Sequence, residues 1–136
     1  MIPSIKPVII ATGVLVALDL MWIGWLMAPF YQSRLRPLLN FVDGTLHPRI
    51  IPTVLTYVTM ILIVSCIAVP LARTYAGDSN FMTFLIGAFV GLVVYGLYNL
   101  TNLSLIKDWS TAVTVVDTLW GGVIFGVSTL LVWFFD

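Results

Sequence analysis

Apolar residues run through this chain in four long stretches separated by short polar breaks. The stretches cover positions 7–30, 51–72, 81–106 and 110–135. Each is close to the roughly 20 residues that a helix needs to cross a hydrocarbon core of about 30 Å. The stretches do not alternate polar with apolar at every second residue, so they predict helices and fit a membrane β-barrel badly. The expected fold is an all-α membrane protein, one transmembrane domain over residues 1–136, built as a four-helix transmembrane bundle of up-down topology. Pro7 and Pro52 fall where a first helical turn has no use for their missing N–H. The first stretch is too long for a signal-peptide core and contains Asp19, so it reads as a true span.

The breaks differ in length. The first, residues 31–50, interleaves Arg34, Arg36 and Arg49 with Leu35, Leu38, Leu39, Phe41 and Val42. That mixture suits a segment lying in the membrane interface, including a short amphipathic helix. The second break, 73–80, is a polar turn. The third, Lys107-Asp108-Trp109, is so short that the third and fourth helices must form a tight antiparallel hairpin. Gly87-x-x-x-Gly91 and Gly122-x-x-x-Gly126 are close-approach motifs, read as helix-packing seams.

Composition strengthens this picture. Of 136 residues, 60% are hydrophobic and 9% charged. Mean hydropathy is +1.08. A small soluble domain could not hide that much apolar surface from water. Net charge is zero and there is no basic tract, so nucleic acid is not an expected partner. One cysteine, Cys66, rules out an internal disulfide, and one histidine, His47, rules out a paired-histidine site within one chain. No metal or other cofactor is expected. The expected surroundings are membrane lipid, with a homo-oligomer or a membrane-protein partner as a further possibility. Arg34, Arg36, Arg49 and Lys107 lie on the side of the first and third breaks, and Lys6 and Arg73 on the other. The excess predicts a multi-pass protein with both termini outside the cytoplasm.

Two carboxylates interrupt the apolar stretches. Asp19 is expected close to mid-bilayer depth, where a charge costs roughly 2.5–3.5 kcal/mol on insertion scales. Asp117 sits one to two turns inside the fourth span. Asp19-Leu20-Met21-Trp22-Ile23-Gly24 and Asp117-Thr118-Leu119-Trp120-Gly121-Gly122 share the pattern Asp-x-apolar-Trp-x-Gly. The first and fourth helices run in opposite directions, so the two motifs should meet inverted, an arrangement known around transporter sites. No basic residue lies within a span. Each aspartate therefore needs a proton, neutral hydrogen-bond donors, a snorkelling arginine or a bound cation.

The third helix offers partners. Tyr95, Tyr98 and Asn102 share a face, with Asn99 beside them, in the same half of the membrane as Asp117. The candidate polar core is Asp19, Trp22, Tyr95, Tyr98, Asn99, Asn102, Asp117 and Trp120. Thr53, Thr56 and Tyr57 add hydroxyls from the second helix, and Thr114 and Thr118 from the fourth. The plain alternative is structural glue, each intramembrane hydrogen bond contributing about 0.6 kcal/mol. Trp109 and Trp133, at span ends, read as interfacial anchors.

The runs Asp19-Leu20-x-Trp22-x-Gly24, Phe30-Tyr31, Tyr98-Asn99-Leu100-Thr101-Asn102-Leu103 with Lys107-x-Trp109, and Val116-Asp117-x-x-Trp120-Gly121 together resemble one known family. It comprises small bacterial membrane proteins catalogued as domain of unknown function 2177. The resemblance spans nearly the whole chain and implies a four-helix inner-membrane protein without an assigned activity. The family pattern has Asp where this chain has Asn99, so a third intramembrane carboxylate is lost. The expected function is an intramembrane polar pocket that binds or transports a proton, a cation or a small polar ligand. The alternatives are a non-enzymatic accessory or scaffold subunit, and a lipid-modifying enzyme using the carboxyls as acid and base. Catalysis is disfavoured because no nucleophilic arrangement is visible.

Overall fold

The computed structural model describes residues 4–135. Four helices in it are long and apolar enough to cross a membrane: Ile5–Leu26, Ile50–Tyr75, Asn80–Leu105 and Thr111–Phe135. The protein is an all-α membrane bundle, as its hydropathy pattern requires.

The first span is α1 (Ile5–Met21) followed by one wide π turn, Trp22–Leu26. Met27 then leaves helical geometry, at φ −110° and ψ 10°. A separate helix, α2 (Ala28–Leu35), starts with Pro29 in its first turn. The expected continuous run to position 30 is therefore broken. Proline has no N–H to continue the ladder, and its ring crowds the carbonyl one turn back. A fresh helix start accommodates both.

The second span has a related irregularity. Helix α3 (Ile50–Ile63) passes through a π turn, Val64–Ala68, into α4 (Val69–Tyr75). Pro70 lies in the first turn of α4. Widening the turn just ahead of it relieves the clash without ending the helix.

The first connection is more ordered than the sequence suggests. After α2 comes one 3-10 turn, Arg36–Leu38, and then a minimal hairpin of β1 (Phe41–Val42) with β2 (Thr45–Leu46). Phe41 pairs with Leu46 and Val42 with Thr45. Asp43 and Gly44 both take positive φ, the pattern of a I′ hairpin turn, and Asp-Gly is a favoured pair for it. Strands were not expected anywhere in the chain. This pair is too short to change the class.

The third span is α5 (Asn80–Leu105) and the fourth α6 (Thr111–Phe135). Ser79 caps α5, its hydroxyl accepting from the Met82 N–H at 3.1 Å. The two helices pack backbone to backbone. A Cβ on Gly87 would stand 2.5 Å from the Thr129 hydroxyl, and one on Gly91 would collide with the Gly121 carbonyl. Gly126 receives the Phe84 ring. Lipid tails give helices no hydrophobic reason to associate, so this close fit must supply the attraction by dispersion.

The main core follows α6. Ile124, Phe125 and Val132 are fully buried and meet Leu15 of α1 with Val64, Ala68 and Val69 of the second span. The burial stops along α3, where Met60 is the one buried residue. That half of the second span leans away from its neighbours.

Candidate functional site

The divergence of α3 leaves a groove of about 620 Å³. All four spans contribute to its wall: Asp19 from α1, Thr56 and Met60 from α3, Tyr95 and Tyr98 from α5, and Asp117 from α6. The two carboxylates thus reach one space.

Their depth follows from helix rise. Asp19 is seven residues before Leu26 and Asp117 six after Thr111, so both lie roughly 10 Å inside the span ends at 1.5 Å per residue. Tyr57 and Asn99 fall at the same level on their own helices. The site is a layer on the side of the first and third connections. Asp19 is therefore shallower than the mid-bilayer position expected for it.

Each carboxylate oxygen accepts one hydrogen bond. On Asp19, Tyr57 donates to Oδ2 at 2.7 Å and the Trp120 indole N–H to Oδ1 at 3.1 Å. On Asp117, Tyr31 donates to Oδ1 at 3.0 Å and the Asn99 amide to Oδ2 at 2.7 Å. All four donors are uncharged. Arg34 and Arg36 are engaged elsewhere, their guanidinium carbons 4.4 Å from the Phe30 ring centre and 4.6 Å from that of Phe41. Cation–π contacts within α2 and just after it thus engage these two arginines.

The repeated motifs meet and cross. The Trp22 and Trp120 rings stack with centroids 4.4 Å apart and planes 3° from parallel. Trp120, from the second motif, bonds the aspartate of the first. Trp22, from the first, reaches the aspartate of the second through Tyr31, donating to its hydroxyl at 3.0 Å. The inverted echo in the sequence is a reciprocal contact in space, with Tyr31 filling the longer gap.

Tyr31 is positioned by the break at Met27. Because α2 departs from the line of α1, Tyr31 and Leu35 bury against Val113 near the start of α6. The phenol is 4% exposed. Burial first, then the neighbouring Asp117 carboxylate, hold its pKa well above the ordinary value, which keeps it a neutral donor.

Of the residues expected in the polar core, Asp19, Tyr95, Tyr98 and Asp117 line the groove, and Trp22, Trp120 and Asn99 form the layer behind it. Asn102 is not among the groove-lining residues and sits one turn beyond Tyr98 toward the α5 end. Asn99 is fully buried; its amide also donates to the Tyr95 carbonyl, while its Oδ1 has no hydrogen-bond partner among the described residues. Tyr31 was absent from the expected core and Tyr57 was expected only as an added hydroxyl, although they supply two of the four donors. Phe30-Tyr31 is a motif in its own right, which is the one signal that could have marked Tyr31. Trp109 donates to the Thr114 hydroxyl at 3.1 Å and packs edge-on against Tyr98.

Fold and site define a class: a four-span helical membrane protein with a pair of carboxylates held by neutral donors in one half of the bundle. The chain belongs to the family described as "Predicted membrane protein (DUF2177)", whose model matches residues 4–134. No curated protein and no solved structure matches it.

Proposed function

We propose that the carboxylate-lined groove is an intramembrane binding or transport site for a proton, a cation or a small polar ligand. One observation carries this: Asp19 and Asp117 line the same groove, and each is held by uncharged donors alone. Four donors account for one lone pair on each oxygen. A carboxylate offers about four acceptor positions, so each aspartate keeps capacity to spare. Two negative charges in a low-dielectric layer are costly unless a proton or a cation offsets them. Exchanging the offsetting proton or cation is the simplest function the arrangement supports.

The test is pH-dependent cation binding and flux with purified protein in liposomes. Asp19→Asn and Asp117→Asn should each lower the response, and the double substitution should abolish it while the helical circular dichroism persists. An unchanged response in the double variant overturns the proposal, as does a wild-type protein with no pH-dependent response.

The same reading assigns the protein to the cell inner membrane with both termini outside the cytoplasm. The excess of Arg34, Arg36, Arg49 and Lys107 over Lys6 and Arg73 supports it. In a Cys66→Ser background, Asp78→Cys should react with a membrane-impermeant thiol reagent on intact cells and His47→Cys should not. The reverse pattern would invert the topology and place the groove in the outer half.

A further inference from the structure

The groove has a shape and a polarity as well as a charge. On the second span its wall runs from Pro52 to Ile63, roughly 16 Å along the helix axis at 1.5 Å per residue. It is therefore a slot parallel to the spans. Its lining includes Leu55 of α3 and Ile23 of the first span, both exposed on the outer surface of apolar spans. The slot therefore communicates with the hydrocarbon of the bilayer. Its wall changes character with depth. Asp19, Asp117 and Tyr98 lie in the carboxylate layer, and Ile63 and Val94 lie deeper, toward the centre of the membrane.

The layer also has a particular set of unused acceptors. These are the spare lone pairs of the two carboxylates, which line the groove; behind them, buried out of the groove's reach, Asn99 Oδ1 has no partner among the described residues. Both N–H donors of that amide are already committed, to Asp117 and to the Tyr95 carbonyl. What is missing is a positive group with several N–H donors. A primary ammonium has three, in a compact head. The tyrosine rings of the wall, Tyr95 and Tyr98, suit a cation as well.

We propose that the groove takes a protonated primary amine carried on a hydrocarbon chain, which enters sideways from the bilayer past α3. The ammonium sits between Asp19 and Asp117, and the chain lies along the slot toward Ile63 and Val94. This rests on the reading of the groove as a binding site and specifies its ligand class. A quaternary ammonium fits less well because it has no N–H for these acceptors. A free small cation would use the carboxylates but leave the apolar part of the slot without purpose.

The experiment uses the intact protein in nanodiscs of zwitterionic lipid, with dodecylamine as the probe and tryptophan fluorescence and thermal midpoint as readouts. Trp22 and Trp120 stand directly behind the carboxylates and report on the layer. Dodecylamine should give a saturable change and raise the midpoint. Dodecanol, with the same chain and no charge, should not. Butylamine, with the same head, should bind at least about 100-fold more weakly, since each buried methylene adds affinity. Asp19→Asn and Asp117→Asn should each weaken dodecylamine by about tenfold, as expected for a lost charge-assisted hydrogen bond. Leu55→Trp narrows the slot and should reduce dodecylamine binding, read by the thermal midpoint. Equal responses to dodecylamine and dodecanol would overturn the proposal, and so would parity between butylamine and dodecylamine. If a small cation binds in an aspartate-dependent way and dodecylamine does not, the amine proposal fails and the site survives. If neither binds, both fail.

Discussion

The α5–α6 hairpin and the α3 half of the second span are made of similarly apolar helix, yet they behave oppositely. Along the hairpin, glycines let two backbones touch, and half of the most apolar stretch of the fourth span is buried inside the protein. Along α3, Met60 alone is buried, and the helix stands off to leave a groove. Hydrophobicity cannot explain the difference, because both helices face a solvent as apolar as themselves. Shape does. Small residues at Gly87, Gly91, Gly121 and Gly126 permit contact, whereas α3 contains no glycine and leaves Val54, Leu55, Val58 and Leu62 exposed. The close-packed half fixes α5 and α6 so that Asn99 and Asp117 meet. The open half leaves the carboxylates reachable.

The largest expected effect comes from breaking the close-packed half. Gly91→Leu places a branched side chain against the Gly121 carbonyl and the Phe125 side chain. Backbone cannot step aside as a flexible side chain can. Overpacking usually costs about 1–3 kcal/mol and here should reach or exceed the upper end. The measurement is equilibrium unfolding in mixed micelles. A stability within about 1 kcal/mol of wild type, the scale of one hydrogen bond, would show that the seam is not what holds the bundle.

Much of this was readable in advance, and the division between what was and was not is physical. Four spans, the tight final hairpin and the glycine motifs are local or periodic features. Hydropathy and spacing report those directly. Asp19 and Asp117 stood out because a charge in an apolar run is conspicuous whatever it touches. Their partners were harder. Whether Tyr57 or Thr56 faces Asp19 depends on the rotation of α3 about its axis, which distant packing sets. Tyr31 depends on a chain break that Pro29 permits but does not require. Asn102 was expected in the core on the strength of helical spacing from Tyr95, yet it is the Asn99 amide that reaches Asp117. The Asp43-Gly44 turn was visible as a dipeptide but lacked the long flanking strands that normally give it weight.

The carboxylate layer gives effects of intermediate size. Asn99→Ala removes the 2.7 Å donor to Asp117 and leaves Tyr31 as its single remaining side-chain donor. The expected loss is about 1–2 kcal/mol, since the carboxylate left behind is short of a partner in a partly desolvated place. Tyr57→Phe removes one donor from Asp19 at the edge of the open groove, where water or lipid head groups can substitute. It should cost under about 1 kcal/mol. Unfolding curves of the two variants measured side by side decide the point. If Tyr57→Phe is the more damaging, the open half is contributing more to stability than the close-packed half, contrary to the comparison above.

The smallest effect should have the opposite sign. Gly13 lies in α1 on an exposed face, and a Cβ there would meet nothing within 4 Å. Gly91 and Gly13 are both helical glycines in the middle of spans, so helix propensity treats them alike. Only their surroundings differ. Gly13→Ala removes backbone freedom from the unfolded chain without creating a clash, and should stabilise by about 0.5 kcal/mol. A shift of the thermal midpoint upward by a degree or two would be consistent with this, at the scale of about 1 kcal/mol for several degrees. A drop comparable to that of Gly91→Leu would mean that something seats against this face in the membrane. Gly13 would then belong with the seam glycines, and its open surroundings within one chain would reflect a missing neighbour.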